Sequence, residues 1–417
     1  MSAFEKKYKM SYLGKGIFFI LFVFSVAVFA ISGCGHQKIN VQDLLNQPIE
    51  EVGHFKSSKK YKKAGITVVF LTGSPYEIGL AHGKLCREEI LEINKPIFDL
   101  YHGMTAEQKH YWLSKAEKLE KQIPAEYIDE LHGIADGSQL EYKMILFLNT
   151  VSTISEDRGC FAFSYRDKKS RIITFRQADL STELSLYKKM LLYIIKPERG
   201  LGFAAILNPG WVDGESGINE KGITVSQNNI SIAQKEWEVM PITLLSRYML
   251  QYSKTIEEAD KVLNTQKKYP ARLLFVSSPK SAAVFEIANG DKAQMDMKNG
   301  YLATANHARI IPSEPVSGTS YTRLKYANQF LKENQTSMDF DKGLELVRSN
   351  KISRRWTRGV QNRQSFIFLP STLDLWIAIA PDSNYIPASY GPYVGFNLKH
   401  ELYGSGDKPN PDSFPAY

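Results

Sequence analysis

Asp157-Arg158-Gly159-Cys160-Phe161-Ala162-Phe163, followed by Arg176-Gln177-Ala178-Asp179, is the stretch on which the reading of this chain turns. Upstream of it the apolar residues recur at helical spacing. Ile78, Ala81, Leu85 and Ile90 mark one face, and further helical patterns cover roughly 105–120 and 125–140. Downstream the texture changes to short strands: Phe161–Tyr165, Arg171–Phe175, Gly202–Leu207, Gly222–Gln227, Leu273–Val276, Ala283–Ile287, Ser365–Leu369 and Leu375–Ala380. Helical patterns lie between them near 183–195, 241–251, 256–264, 321–334 and 340–349. Helices before the cysteine and strands after it predict an α+β chain with a mostly helical N-terminal part.

Cys160 opens a strand directly after a glycine. The thiol of a cysteine can attack the peptide bond that precedes it, giving a thioester that water hydrolyses. Gly159 helps because it has no Cβ to block the approach. Such a cleavage would leave Cys160 with a free α-amino group, whose unperturbed pKa near ~7.7–8.0 lets it act as the thiol's base at neutral pH. Arg176 and Asp179 stand i, i+3 at the end of the next strand and its turn. A guanidinium favours a thiolate, and a carboxylate could orient the amine. The same residues also read as a small buried hydrophobe beside an ordinary surface ion pair.

The 417 residues, 43% apolar and 23% charged, suit a folded globular chain with a packed core. Residues 1–34 read as an export leader: lysines, an apolar run from Ile17 to Ile31, then Ile31-Ser32-Gly33-Cys34. That ending resembles the bacterial lipobox, in which Cys34 is lipidated and becomes the mature N-terminus. The expected location is therefore the cell envelope, on a lipid anchor facing the periplasm or exterior. Residues 35–64 read as a polar, basic tether carrying Lys56, Lys59, Lys60, Lys62 and Lys63, and the residues after Gly404 as a flexible tail. Cys86 and Cys160 are expected to remain unbridged.

Several chemistries find no support. There is no G-x-S-x-G elbow, no H-E-x-x-H zinc helix and no nucleic-acid reader motif. Gly79-Leu80-Ala81-His82-Gly83-Lys84 has three residues between its glycines where a phosphate loop has four, and no Ser or Thr after its lysine. His82 and Cys86 stand i, i+4, but no third metal ligand accompanies them. No metal and no organic cofactor are expected.

Taken in order, a set of short motifs resembles the penicillin acyltransferase and choloylglycine hydrolase group of N-terminal nucleophile hydrolases, which also includes acid ceramidase. Gly73-Ser74-Pro75-Tyr76-Glu77-Ile78-Gly79 with His82-Gly83 resembles the opening of the acyltransferase branch, and Gly159-Cys160 its processing site. Arg176 and Asp179 stand at the group's offsets of sixteen and nineteen after the cysteine. Gly217-Ile218-Asn219-Glu220-Lys221-Gly222-Ile223 matches its hairpin. Thr304-Ala305-Asn306-His307 resembles its T-N-H stretch with Ala305 inserted, and Arg323 follows in Ser320-Tyr321-Thr322-Arg323-Leu324. The resemblance runs from about Thr72 to about Leu402.

What the resemblance implies is a four-layer αββα sandwich. Residues 65–159 would form the helical segment, released by self-cleavage but kept as a bound partner of a catalytic region over 160–404. Cys160 would be the nucleophile, tuned by Arg176 and Asp179. Asn306 would donate to the oxyanion, with Asn229 or its neighbour Asn228 as second donor, and Arg323 would hold the network. The substrate would be a small-molecule amide or N-acyl compound, cleaved or transacylated at a linear amide bond. Alternatives on the same fold are a ceramidase-like lipid amidase, a cysteine peptidase, and a non-enzymatic surface lipoprotein that serves as a binding module. Two positions depart from the group's pattern: Leu180 follows Asp179 where the group has Trp, and Phe161 follows the cysteine where small polar residues are common.

Overall fold

The computed structural model describes residues 49–151, 159–181, 191–230, 232–233, 235, 238–313, 319–353, 360–380 and 386–404. The leader with Cys34, the first part of the expected tether, Asp157-Arg158, most of the helix expected near 183–195 and the tail lie outside these residues.

Among the described residues the strands form two sheets. The first part of the chain supplies β1 (Glu50–Phe55), β2 (Ser58–Lys63) and β3 (Ile66–Gly73), then the helices α1 (Pro75–Leu85), α2 (Arg87–Ile93), α3 (Lys95–Gly103), α4 (Ala106–Glu120), α5 (Ala125–Ser138) and α6 (Tyr142–Val151). There follow β4 (Gly159–Arg166), β5 (Ile172–Ser181), β6 (Leu191–Pro197), β7 (Phe203–Leu207), β8 (Ser216–Asn219) and β9 (Thr224–Asn228). Next come α7 (Ile242–Tyr252), α8 (Ile256–Asn264), β10 (Tyr269–Ser277), β11 (Ala282–Asn289), β12 (Asp291–Asp296) and β13 (Tyr301–Thr304). The chain continues through α9 (Ser320–Glu333), α10 (Phe340–Arg348), β14 (Val360–Leu369), β15 (Asp374–Ile379), β16 (Val394–Asn397) and α11 (Leu398–Tyr403). The larger sheet has the order β1-β2-β3-β6-β7-β8-β9-β10-β11-β12 and the smaller β13-β4-β5-β14-β15-β16. Neighbouring strands run antiparallel except β3 and β6, which are parallel.

Strand alternation explains the layering. On β4, Phe161, Phe163 and Tyr165 point to an outer core shared with Leu324, Ala327 and Leu331 of α9 and Leu344 and Val347 of α10. Ala162 on the opposite face packs with Leu273 and Phe275 of β10, so it lies between the sheets. Leu274 and Val276 of β10 point the other way, into a core shared with Leu245 and Met249 of α7. The result is a four-layer αββα sandwich. A line of buried hydroxyls, Ser164 to Thr174 (2.7 Å), Thr174 to Ser277 (2.7 Å) and Ser277 to Thr224 (2.5 Å), joins the two sheets through the middle.

Two expectations need correction. The expected tether over 35–64 ends in an ordered hairpin: β1 and β2 pair at the edge of the larger sheet, and β2 pairs with β3. The lysines that suggested a solvated linker are partly turned inward. Lys60 pairs with Glu89, and Lys63 donates to the Gly395 carbonyl at 3.0 Å. Secondly, 191–195 is strand, not helix. A short apolar run fully covered on both faces carries no period that separates the two; here pairing with β3 and β7 fixes it as β6. Gly73-Ser74-Pro75 is a helix start, with Ser74 and Glu77 capping each other reciprocally.

The N-terminal helices are locked by glycine. Gly79 and Gly83 of α1 cross Gly133 and Gly137 of α5 so closely that the backbones touch. A Cβ on Gly133 would stand 2.3 Å from the Tyr76 carbonyl oxygen, and one on Gly79 would stand 2.0 Å from that of Glu130. On an open helix Gly→Ala stabilises by about 0.5–1 kcal/mol. Here the clash wins, and Gly133→Ala is expected to destabilise the fold by about 1–3 kcal/mol. Urea unfolding followed by circular dichroism checks the sign.

Candidate active site

Cys160 and Arg176 sit on adjacent strands of the smaller sheet, β4 and β5, with Ala162 opposite Arg176 and Ala178 opposite Cys160. Paired residues in an antiparallel ladder point to the same face. The Cys160 thiol and the Arg176 side chain therefore both enter the space between the sheets, where Arg176 Nη2 donates to Cys160 Sγ at 3.0 Å. The guanidinium is fully buried. Its Nη2 also donates to the Gln227 carbonyl of β9 at 2.5 Å and faces Glu215 Oε1 at 3.5 Å. A buried cation must be matched by acceptors, and the facing sheet provides them.

Asp179 belongs to the other face. The expectation of a turn fails: β5 runs straight through to Ser181, and Asp179 lies opposite Gly159. An odd offset of three along a strand places Arg176 and Asp179 on opposite sides. Asp179 thus meets α9, where Arg323 Nη1 donates to its Oδ2 at 2.8 Å. The Arg323 guanidinium also covers the Phe161 ring, 5.1 Å from its centroid. Both members of this ion pair are buried.

Asn306 closes the site from the loop after β13. Its Oδ1 accepts from the Cys160 main-chain N–H at 3.0 Å, and its Nδ2 donates to the Asn229 carbonyl at 3.0 Å. Asn229 therefore reaches Asn306 through its main chain, while its rival Asn228 donates from Nδ2 to the Ala305 carbonyl at 2.9 Å and ties down the same loop. Of the residues expected at the site, Cys160, Arg176, Asn306 and Asn229 are linked around the thiol and its main-chain nitrogen, while Asp179 and Arg323 pair on the opposite face of β5, across from Gly159. Cys34 lies outside the described residues.

The thiol's acidity reflects competition. Burial pushes it above its ordinary value and the Arg176 charge pulls it back; Glu215 and Asp179 push it up again, while the Arg176 hydrogen bond favours the thiolate. The thiol of this uncut chain is therefore held as the acid, with a cation in contact that would steady the thiolate once formed.

Three contributors were not legible in the sequence. Glu215 ends the loop between β7 and β8. Ser320 opens α9; its Oγ accepts from the Asn306 N–H at 2.9 Å and pairs with His307 Nδ1 at 2.7 Å. Glu286 on β11 accepts the N–H groups of Arg309 (2.8 Å), Ile310 (2.8 Å) and Ile311 (3.1 Å), fixing the strand-to-helix loop beyond Asn306. The one available signal was that Ser320 stands three residues before Arg323, one helical turn on the same face. His82 and Cys86 do not approach this site. His82 Nε2 accepts from the Gly210 N–H and contacts Tyr193 Oη, both at 2.9 Å; burial, and then the Arg247 charge, push its pKa down to about 3. It is a neutral, structural imidazole.

Residues 166–368 match the sequence profile of the acyl-coenzyme A:6-aminopenicillanic acid acyl-transferase family. That span begins just after Cys160 and contains Arg176, Asp179, Glu215, Asn229, Asn306 and Arg323. An uncharacterized protein of Archaeoglobus fulgidus is 23% identical over 68% of this chain and 58% of its own length. This chain thus spans little more than half of that relative. The 40 kDa form of acyl-coenzyme A:6-aminopenicillanic-acid-acyltransferase of Emericella nidulans is 24% identical over 57% of this chain and 68% of its own. Among solved structures, penicillin V acylase from Agrobacterium tumefaciens aligns over 53% of this chain and 83% of its own, at 14% identity and a TM-score of 0.39.

Proposed function

We propose that the chain is a self-processing amidase or acyltransferase of the N-terminal nucleophile class, acting on a linear amide bond through Cys160. The observation that carries this reading is the buried contact of Arg176 Nη2 with Cys160 Sγ, beside a Cys160 main-chain nitrogen already held by Asn306. In processing, the thiolate adds to the Gly159 carbonyl carbon. The C–N bond to Cys160 breaks, the nitrogen takes up a proton and becomes an amine, and water hydrolyses the thioester to free the thiol and the Gly159 carboxylate. In turnover the same thiolate attacks a substrate amide and the leaving amine departs with a proton. Water completes hydrolysis of the acyl-thioester, or a second amine completes transfer. A relative named for acyltransfer suits this class of bond. Cys34, if lipidated, would hold the enzyme at a membrane surface of the cell envelope, with residues up to Gly159 retained as a bound fragment.

Intact mass under denaturing conditions tests self-cleavage. Wild type should give two fragments meeting at Gly159/Cys160, and Cys160→Ala one uncut chain. A variant that is still cut there would remove Cys160 from the role.

The two steps should differ in pH dependence. The uncut chain has no α-amine to take the thiol proton, and its thiol is held above its ordinary value. Thiolate, and with it the cleavage rate, should keep climbing about tenfold per pH unit through neutrality without levelling. Turnover by the cut enzyme has the amine as base, so it should level once the pH exceeds ~7.7–8.0. Coincident profiles would argue against the amine's role.

Asn306→Ala should lower kcat about 100–1000-fold with little change in KM, the pattern for loss of an oxyanion donor. Steady-state kinetics on an N-acyl amino acid panel reads the split.

A further inference from the structure

The loop Asn208-Pro209-Gly210-Trp211-Val212-Asp213-Gly214-Glu215 joins β7 to β8 and is buried along its whole length. A buried loop must find partners for its main-chain polar groups. Here three side chains from the segment before Gly159 supply them. His82 of α1 accepts from the Gly210 N–H at 2.9 Å. Asn94, between α2 and α3, donates to the Pro209 carbonyl at 2.9 Å and accepts from Trp211 Nε1 at 3.1 Å. Asn149 of α6 donates to the Gly210 carbonyl at 2.9 Å and accepts from the Val212 N–H at 2.7 Å, pairing with the loop as a neighbouring strand would. The loop then delivers Glu215 to Arg176, and Arg176 touches the thiol.

We infer that Asn149, with His82 and Asn94 beside it, is a positioning residue of the Cys160 site: by gripping the 208–215 loop it holds Glu215 against Arg176, so the segment before the scissile bond is a working part of the site. The inference deepens the proposed function and takes Cys160 as its reactive group. The charged groups bearing on the thiol are Arg176 from β5, Glu215 from the loop and Asp179 from the far face of β5, the last paired with Arg323 of α9. Glu215 shares the Arg176 cation with the thiolate. Whatever loosens Glu215 leaves that cation more fully to the sulfur.

The test is a double-mutant cycle on the full chain, using Asn149→Ala, Glu215→Gln and the pair. The readout is the pH midpoint of ultraviolet thiolate absorbance, taken separately for cut and uncut chain, with the uncut Cys160→Ala chain as the thiol-free blank for both. Glu215→Gln should lower the midpoint by on the order of one pH unit. Asn149→Ala should move it the same way, and the double variant should fall no further than Glu215→Gln alone. An Asn149→Ala midpoint equal to wild type, or a shift that simply adds to that of Glu215→Gln, overturns the inference. A purely structural Asn149 would lower thermal stability and leave the midpoint in place. Should Asn149→Ala not fold, Asn149→Asp keeps the acceptor for Val212 and loses the donor to Gly210, and the same cycle is run with it. The absorbance needs no turnover, so a dead enzyme with the expected coupling would sink the proposed function and not this inference.

Discussion

Arg176 carries a full positive charge into the space between two sheets, with no exposed surface. Burying an unmatched ion of that kind costs several kcal/mol, so much of the surrounding fold can be read as the means of matching it. The larger sheet turns the Gln227 carbonyl toward it, the β7–β8 loop brings Glu215, and β4 brings the thiol. Among the described residues Glu215 is the carboxylate that pairs with Arg176, at 3.5 Å, so carboxylate and thiol share one cation.

The smaller sheet keeps two buried ion pairs from interfering by placing them on opposite faces. Arg176 and Glu215 lie between the sheets; Asp179 and Arg323 lie in the outer layer under α9. If Asp179 shared the inner face it would compete for Arg176 and drive the thiol further toward its neutral form. From the outer face it still stands opposite Gly159, at the edge of the bond that would be cut. Phe161 makes the outer pair tenable by offering its ring to Arg323. The unusual large residue after the cysteine thus fills the outer core and points away from any substrate between the sheets.

How much of this was legible depends on sequence distance. Cys160, Arg176 and Asp179 lie close together on one hairpin, yet residue type and spacing alone left them open between a reactive site and a buried cysteine beside a surface ion pair; the family resemblance singled them out. The αββα layering followed from the family resemblance, and the strands after the cysteine from their β-rich runs. Glu215 could not be found that way: its partner is 39 residues away, on another sheet. Asn149 and Asn94 look like ordinary helix-end asparagines, because a side chain that satisfies a distant loop leaves no local pattern. The hairpin β1–β2 was hidden for a different reason. Its lysines suggested solvent, yet Lys63 lays its stem inward, with its charge 4.5 Å from the Phe396 ring centroid, as long charged side chains can.

The position of Asn306 shows what precision asks of a loop. Its side chain spans from the Cys160 nitrogen to the Asn229 carbonyl, so a small slide of the backbone would break one bond or the other. The loop is restrained on three sides. Asn228 holds the carbonyl just before it, Ser320 holds its own N–H, and the Glu286 carboxylate gathers the N–H groups beyond it. A buried carboxylate that accepts several main-chain donors is a strong anchor, because each bond is charge-assisted. The same Ser320 hydroxyl also pairs with His307 Nδ1 at 2.7 Å, so one side chain ties two successive residues of the loop to the start of α9. The result is an asparagine whose oxygen faces a nitrogen that becomes an amine only if the preceding bond is cut. The same contact would then hold the amine beside its own thiol, so the uncut chain already has the geometry that the cut enzyme would use.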